Sequence, residues 1–145
     1  MIKYDIPVEI INNIKDIIEQ KQNCKLQLNK TFNTYWIIDK NNEFRIKYYE
    51  AKASKCFIII ISSIGKYQIV ISRVEFQNKR LGTMTAIINL LKEYCSKEHI
   101  PQICIQSVET KEMMNWCIKN NFIPNENAII FINDLILGDY LFNIV

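Results

Sequence analysis

The sequence predicts an α+β domain, a mixed and mostly antiparallel central sheet flanked by helices. Three observations carry that prediction. Apolar residues recur at helical spacing near the start of the chain and again after Gly82. Runs rich in isoleucine, valine and aromatic residues lie between and beyond those stripes, several of them in adjacent pairs that read as hairpins. With 145 residues, 49% of them hydrophobic, the chain has the size and apolar content of one domain with one core.

The first element is a helix. Ile10, Ile11, Ile14, Ile17 and Ile18 follow the i, i+3, i+4, i+7 spacing, with Pro7 in the first turn and an end near Lys21 to Asn23. Between Phe32 and Glu50, "FNTYWIID" and "EFRIKYYE" read as a β-hairpin turned at "KNN". A second hairpin is expected from "KCFIIIISS" and "YQIVISRVEF", turned near Ile64 to Lys66, where Gly65 accepts positive φ. Its first arm is nearly unbroken in apolar residues, as in a strand covered on both faces, so it is expected at the centre of the sheet.

The second helical stripe holds Met84, Ile87, Ile88, Leu91, Tyr94 and Cys95 and must end before Pro101. "QICIQSV" is apolar enough for another inner strand. Thr110 is the expected N-cap of a shorter helix that carries Glu112 in its first turn and runs to about Asn120, with Asn121 in the left-handed conformation after it. "AIIFI" and "DYLFNIV" are closing strands, with Gly138 expected in the turn between them. No repeat, low-complexity tract or linker interrupts residues 1–145, which read as one domain.

Composition narrows the function classes. The net charge of +3 is slight and the cations are spread along the chain, which argues against a nucleic-acid surface. The opening "MIKYDIPVEIINN" lacks the basic and apolar regions of a signal peptide, and no apolar run approaches the roughly 20 residues of a membrane span. A soluble cytoplasmic protein is the expectation. The five cysteines (Cys24, Cys56, Cys95, Cys104 and Cys117) contain no C-x-x-C pair and are joined by a single histidine, His99, so reduced thiols and no metal are expected.

One junction stands apart. In "FQNKRLGTMTAII", Phe76 to Ile88, a strand stops at two cations, a lone glycine and two hydroxyls and continues as a helix. The first amides of a helix have no partners within it, and the helix dipole adds partial positive charge there. Gly82 lets an anion approach the main chain, Lys79 and Arg80 add charge, and Thr83 and Thr85 add hydroxyls. The same residues also read as a solvated loop whose helix is capped by Thr83.

From Val74 through Phe122 the chain resembles the Gcn5-related N-acetyltransferases, whose phosphate loop reads R/Q-x-x-G-x-G/A before a helix beginning "TALL". On that pattern "KRLGTMTAII" places Lys79 at the R/Q position, Gly82 at the first glycine and Met84 at the second Gly/Ala position. A second register, Gln77 to Gly82 with Arg80 at the first glycine, also fits the loop. The family's later signature, N-x-x-A-x-x-x-Y-x-K-x-G-F, is similar to "TKEMMNWCIKNNF": Lys119 and Phe122 align, Asn121 stands at the glycine and Cys117 at the tyrosine. The N-terminal third matches only in its kinds of element.

The resemblance implies acetyl-CoA as cosubstrate. Its pantetheine arm would pair with the main chain of a bulged strand, here Ser72, Arg73 and Val74, splayed from "ICIQSV", while its pyrophosphate would lie on Lys79, Arg80, Leu81, Gly82, Thr83, Met84 and Thr85. It implies direct transfer of the acetyl group to a primary amine, on a small molecule, a peptide or an aminoacyl conjugate. Such transfer requires a base for the ammonium proton, a donor for the carbonyl oxygen and an acid for the departing thiolate. Glu75 and Glu109 are the candidate bases, and Cys117, at the family's tyrosine, is the candidate acid.

Each assignment has a plainer counterpart: Glu75 and Glu109 as solvated carboxylates, Cys117 as packed core, Glu112 as a helix-start charge. Trp36, Tyr48 and Tyr49 fit an acceptor pocket or ordinary cross-strand packing, and His99 fits a helix end. Two rivals follow: an acyl-CoA-binding or regulatory module that does not transfer, and a small interaction domain forming a homodimer through its apolar end strands.

Overall fold

The structure, a computed structural model, describes residues 5–50 and 67–144. Helix α1 spans Val8–Gln22, followed by strands β1 (Gln27–Thr31), β2 (Thr34–Ile38), β3 (Glu43–Glu50) and β4 (Tyr67–Glu75). Helix α2 (Thr83–Glu98), strand β5 (Gln102–Val108), helix α3 (Lys111–Lys119) and strands β6 (Ile123–Ile132) and β7 (Leu135–Asn143) complete the described chain. The described strands form one sheet in the order β1-β2-β3-β4-β5-β7-β6. Every neighbouring pair is antiparallel except β4 and β5, which run parallel across the α2 crossover.

Period explains why these elements form. In α1 the stripe Ile11, Ile14, Ile18 is fully buried, and Asn23 ends the helix in the left-handed region at φ 52. In α2, Ile87, Ile88, Leu91 and Cys95 are closed off from solvent on the face that meets α1 and the sheet. One face of the sheet supplies Ile37, Phe44, Ile46, Ile69, Ile71, Ile103 and Ile105 to the same core, alternating along each strand. Each isoleucine buried in this way contributes roughly 1.5–3 kcal/mol over its exposed state.

Three expectations are revised, and one lies outside the described residues. The first arm of the second hairpin, residues 55–63, and its turn at Gly65 lie outside the described residues. Strand β4 takes β3 as its antiparallel partner, from Glu43↔Glu75 to Glu50↔Tyr67, and pairs with β5 on its other edge from Gln68 to Ile71. Strand β1 was not expected; it is an edge strand with four of its five residues exposed and therefore shows no apolar alternation. Gly138 is not in the last turn, which falls at Asn133 and Asp134. It lies within β7 at φ +120, beside the register shift of β6 between Pro124 and Ile129, where a Cβ would meet Ala128 O at 2.2 Å. Thr83 does not cap α2: Gly82 occupies the cap in the left-handed region, and the Thr83 side chain is buried, its Oγ1 accepting from Gln22 Nε2.

Candidate functional site

Strands β4 and β5 pair only from Gln68↔Gln102 to Ile71↔Ile105 and then part. Irregularities on both strands cause the parting. On β4, Ser72 falls between the pairs Ile71↔Ile46 and Arg73↔Arg45, so the strand bulges there. On β5, Gln106 and Ser107 fall between Ile105↔Tyr140 and Val108↔Gly138; Ser107 has φ 55 and its N–H donates to Asp139 Oδ1 at 2.9 Å. Side-chain capture of that amide ties β5 to β7 and away from β4.

A cavity of about 900 Å³ fills the opening. Its walls are Ser72 to Glu75 of β4, Gln106, Ser107 and Glu109 beyond the β5 bulge, the loop and helix start from Asn78 to Thr85, and Glu112, Met113, Asn115 and Trp116 of α3. Every residue expected to hold the cofactor, and both candidate bases, line this one space. Cys117 does not: it is fully buried in the core, and burial pushes its thiol up to about 12.

The loop's shape follows from its residues. Phe76 leaves β4 stacked parallel on Phe44, ring centres 6.4 Å apart. Arg80 and Gly82 both take left-handed conformations, φ 64 and φ 74, which turn the chain from strand to helix over a few residues. The first helical bond runs from Ala86 N–H to Gly82 O, so the amides of Thr83, Met84 and Thr85, all residues that line the cavity, precede the ladder. The Met84 side chain is in the core, which keeps the helix start open despite its size. On the far wall Trp116 Nε1 donates to Thr85 Oγ1 at 3.2 Å, joining α3 to the first turn of α2.

Charges of both signs meet here. Lys79 and Glu112 face each other at 3.5 Å across the mouth, each 70% exposed, an arrangement that costs little to open. Arg73 Nη2 contacts Glu75 at 2.9 Å and its Nε contacts Glu43 at 3.5 Å. Arg45 also meets Glu43 and lies over the Trp36 ring, 4.0 Å from its centre. Trp36 is thus packed under a guanidinium, outside the cavity lining. Glu75 is engaged by Arg73, whereas Glu109 makes no ion pair among the described residues.

Sequence reasoning missed four contributors: Asp139, Trp116, and the two side chains that bond the loop, Gln22 and Asn42. Gln22 carried a legible signal, since it continues the buried stripe Ile11, Ile14, Ile18 with a polar side chain that is 4% exposed. A polar residue at a core position needs partners.

No protein-family model and no curated protein sequence matches the chain. Among solved structures it is similar to Arabidopsis thaliana NAA60 in complex with a bisubstrate analogue, at 14% identity and a TM-score of 0.51 over 97% of this chain and 96% of that one. It is also similar to a chain of the NatC complex bound to Gag peptide and CoA, at 9% identity and a TM-score of 0.50 over 99% of this chain and 84% of that one. The fold is that of the Gcn5-related N-acetyltransferase superfamily. Among the described residues, no helix is long and apolar enough to cross a membrane.

Proposed function

We propose that this chain is an N-acetyltransferase that moves an acetyl group from acetyl-CoA to a primary amine by direct transfer in a ternary complex. The observation that carries the reading is the coincidence of three features in one cavity. The parted strands β4 and β5 leave main-chain groups without strand partners, an uncapped helix start follows the left-handed Gly82, and Lys79 and Arg80 flank it.

Strand-like pairing with Ser72 to Val74 would hold the pantetheine arm, and the amides from Gly82 to Thr85 with Lys79 and Arg80 would hold the pyrophosphate. The cavity is within the size of common cofactor pockets. The cosubstrate supplies an activated acyl carbon. The transfer makes a C–N bond and breaks a C–S bond, and the ammonium proton must leave the amine before attack. Glu109, on the rim and outside the ion-pair network, fits the base better than Glu75. It acts directly or through a water.

Protonation of the leaving thiolate falls to solvent or to a hydroxyl on the wall, because the thiol at the family's tyrosine position is enclosed and its proton is held tightly. That departure favours a second reading, a module of the same fold that binds acyl-CoA without transferring. The acceptor is an amine of a small molecule, a peptide or an aminoacyl conjugate.

Thiol release from acetyl-CoA, followed with and without a panel of such amines, separates the readings. Release that depends on one amine class and is abolished by Glu109→Gln supports transfer; binding without release supports the module.

A further inference from the structure

The loop that would carry the pyrophosphate is held from behind by two buried side-chain amides that belong to other elements. Gln22, the last residue of α1, is 4% exposed and uses its whole amide on the loop. Its Oε1 accepts from Asn78 N–H at 2.9 Å, and its Nε2 donates to Asn78 O at 2.9 Å and to Thr83 Oγ1 at 3.0 Å. The side chain thereby pairs with both main-chain groups of one loop residue, as a strand neighbour would, and clamps the first residue of α2 as well. Asn42, in the β2–β3 turn and 3% exposed, accepts from Gln77 N–H through Oδ1 at 2.9 Å. Its Nδ2 is turned toward the Asp39 carboxylate, at 3.3 and 3.4 Å, which also accepts from Asn42 N–H at 2.7 Å.

Resting on the cofactor reading above, we infer that Gln22 is a positioning residue for the pyrophosphate loop, with Asn42 as its second anchor. The chemistry gives the reason. A loop that binds an anion through main-chain N–H groups must hold them in place before the ligand arrives, or binding has to supply the ordering. It must also prevent its other peptide groups from turning into the same space. Gln22 and Asn42, neither of which lines the cavity, consume the amides of Gln77 and Asn78 and the carbonyl of Asn78. The amides around Gly82 remain for the ligand. Because these anchors come from α1 and the β2–β3 turn, the phosphate loop is held by the N-terminal part of the chain, not only by the strand and helix it connects.

The experiment compares two buried-glutamine variants by calorimetric titration with CoA, at a temperature where circular dichroism shows each folded. Gln22→Met keeps the volume and removes the loop bonds. Gln102→Met is the control: Gln102 is 2% exposed and donates to Asn143 Oδ1 at 2.8 Å, at the end of β5 remote from the cavity. Both variants should unfold at lower temperature. Gln22→Met should bind CoA roughly tenfold more weakly, and Gln102→Met within about twofold of wild type, as expected when only the first loses hydrogen bonds that order the binding loop. If Gln22→Met does not fold, Thr83→Val removes one of the three clamped groups and should weaken CoA in the same direction by about threefold. Equal CoA affinity in wild type and the loop variants, or equal weakening in Gln22→Met and Gln102→Met, would overturn the inference while leaving the cofactor reading standing. Failure of the wild type itself to bind CoA would overturn both.

Discussion

The backbone N–H of Ser107 donates to Oδ1 of Asp139 at 2.9 Å, at the point where β5 leaves β4. The bond holds a non-glycine residue at φ 55, which a serine adopts only where its surroundings impose it. Asp139→Ala leaves that amide without its acceptor and should cost roughly 1–3 kcal/mol in urea unfolding. Asp139→Asn keeps an oxygen in place and should recover most of the loss. Equal unfolding midpoints for wild type and Asp139→Ala would show that the bulge is set elsewhere.

The cations at the loop should serve the ligand and not the fold. Lys79 is 70% exposed and, among the described residues, paired only with an equally exposed Glu112, a kind of contact that adds little to stability. Arg80→Glu and Lys79→Glu should each weaken CoA binding roughly tenfold to a hundredfold, the range for a lost hydrogen bond to a charged group, with unfolding midpoints nearly unchanged. Calorimetry and thermal unfolding on the same samples read the two effects separately. A fall in midpoint without a fall in affinity would move these side chains to a structural role.

Burial pushes the thiols of Cys95, Cys104 and Cys117 up to about 12 from an ordinary 9.0. The folded chain therefore keeps these protons while the unfolded chain releases them above pH 9, so unfolding releases protons and stability falls as pH rises from about 9 toward 12. Cys117→Ala should show a shallower decline over that window, after a loss at neutral pH of about 1–3 kcal/mol for the cavity it leaves. Iodoacetamide at pH 8, with peptides mapped by mass spectrometry, should leave these three unmodified in the folded protein. Rapid labelling of Cys117 would reopen its candidacy as a proton donor.

Gly138 sits at φ +120 against the main chain of Ala128 and Ile129, with Ala128 O only 2.2 Å from where a Cβ would stand. Both the backbone angle and the contact oppose any side chain. Gly138→Ala should lose roughly 2–4 kcal/mol, the scale of a strained main-chain site combined with a steric clash. A midpoint within a degree of wild type would contradict this account of the β6–β7 irregularity.

How far the sequence reveals this molecule depends on where each signal is stored. Helices α1 and α2 are legible because their apolar stripes face one core, and β2 with β3 because a short polar turn joins them. The loop at Gly82 is legible as a junction of strand, cations and helix start. Pairing across long separations is not: β4 joins β3 across residues 51–66, and nothing in either strand's composition names its partner. Strand β1 is hidden because an edge strand needs no buried face. The Asp139 contact depends on a register shift between β5 and β7, which no residue type announces. Gln22 is the instructive middle case, a polar residue on an apolar stripe whose position marks it as bonded but whose partner, Asn78, lies 56 residues away.

The central claim is that the parted strands and the helix start form a site for acetyl-CoA. Its most direct test is thermal unfolding across a concentration series of acetyl-CoA, since a ligand that binds only the folded state raises stability by about 2.7 kcal/mol at a hundred times its dissociation constant. The account predicts a midpoint that climbs with the logarithm of ligand concentration in the wild type and is displaced to higher concentrations in Arg80→Glu. A flat midpoint up to millimolar acetyl-CoA would contradict it and leave a fold without its cofactor.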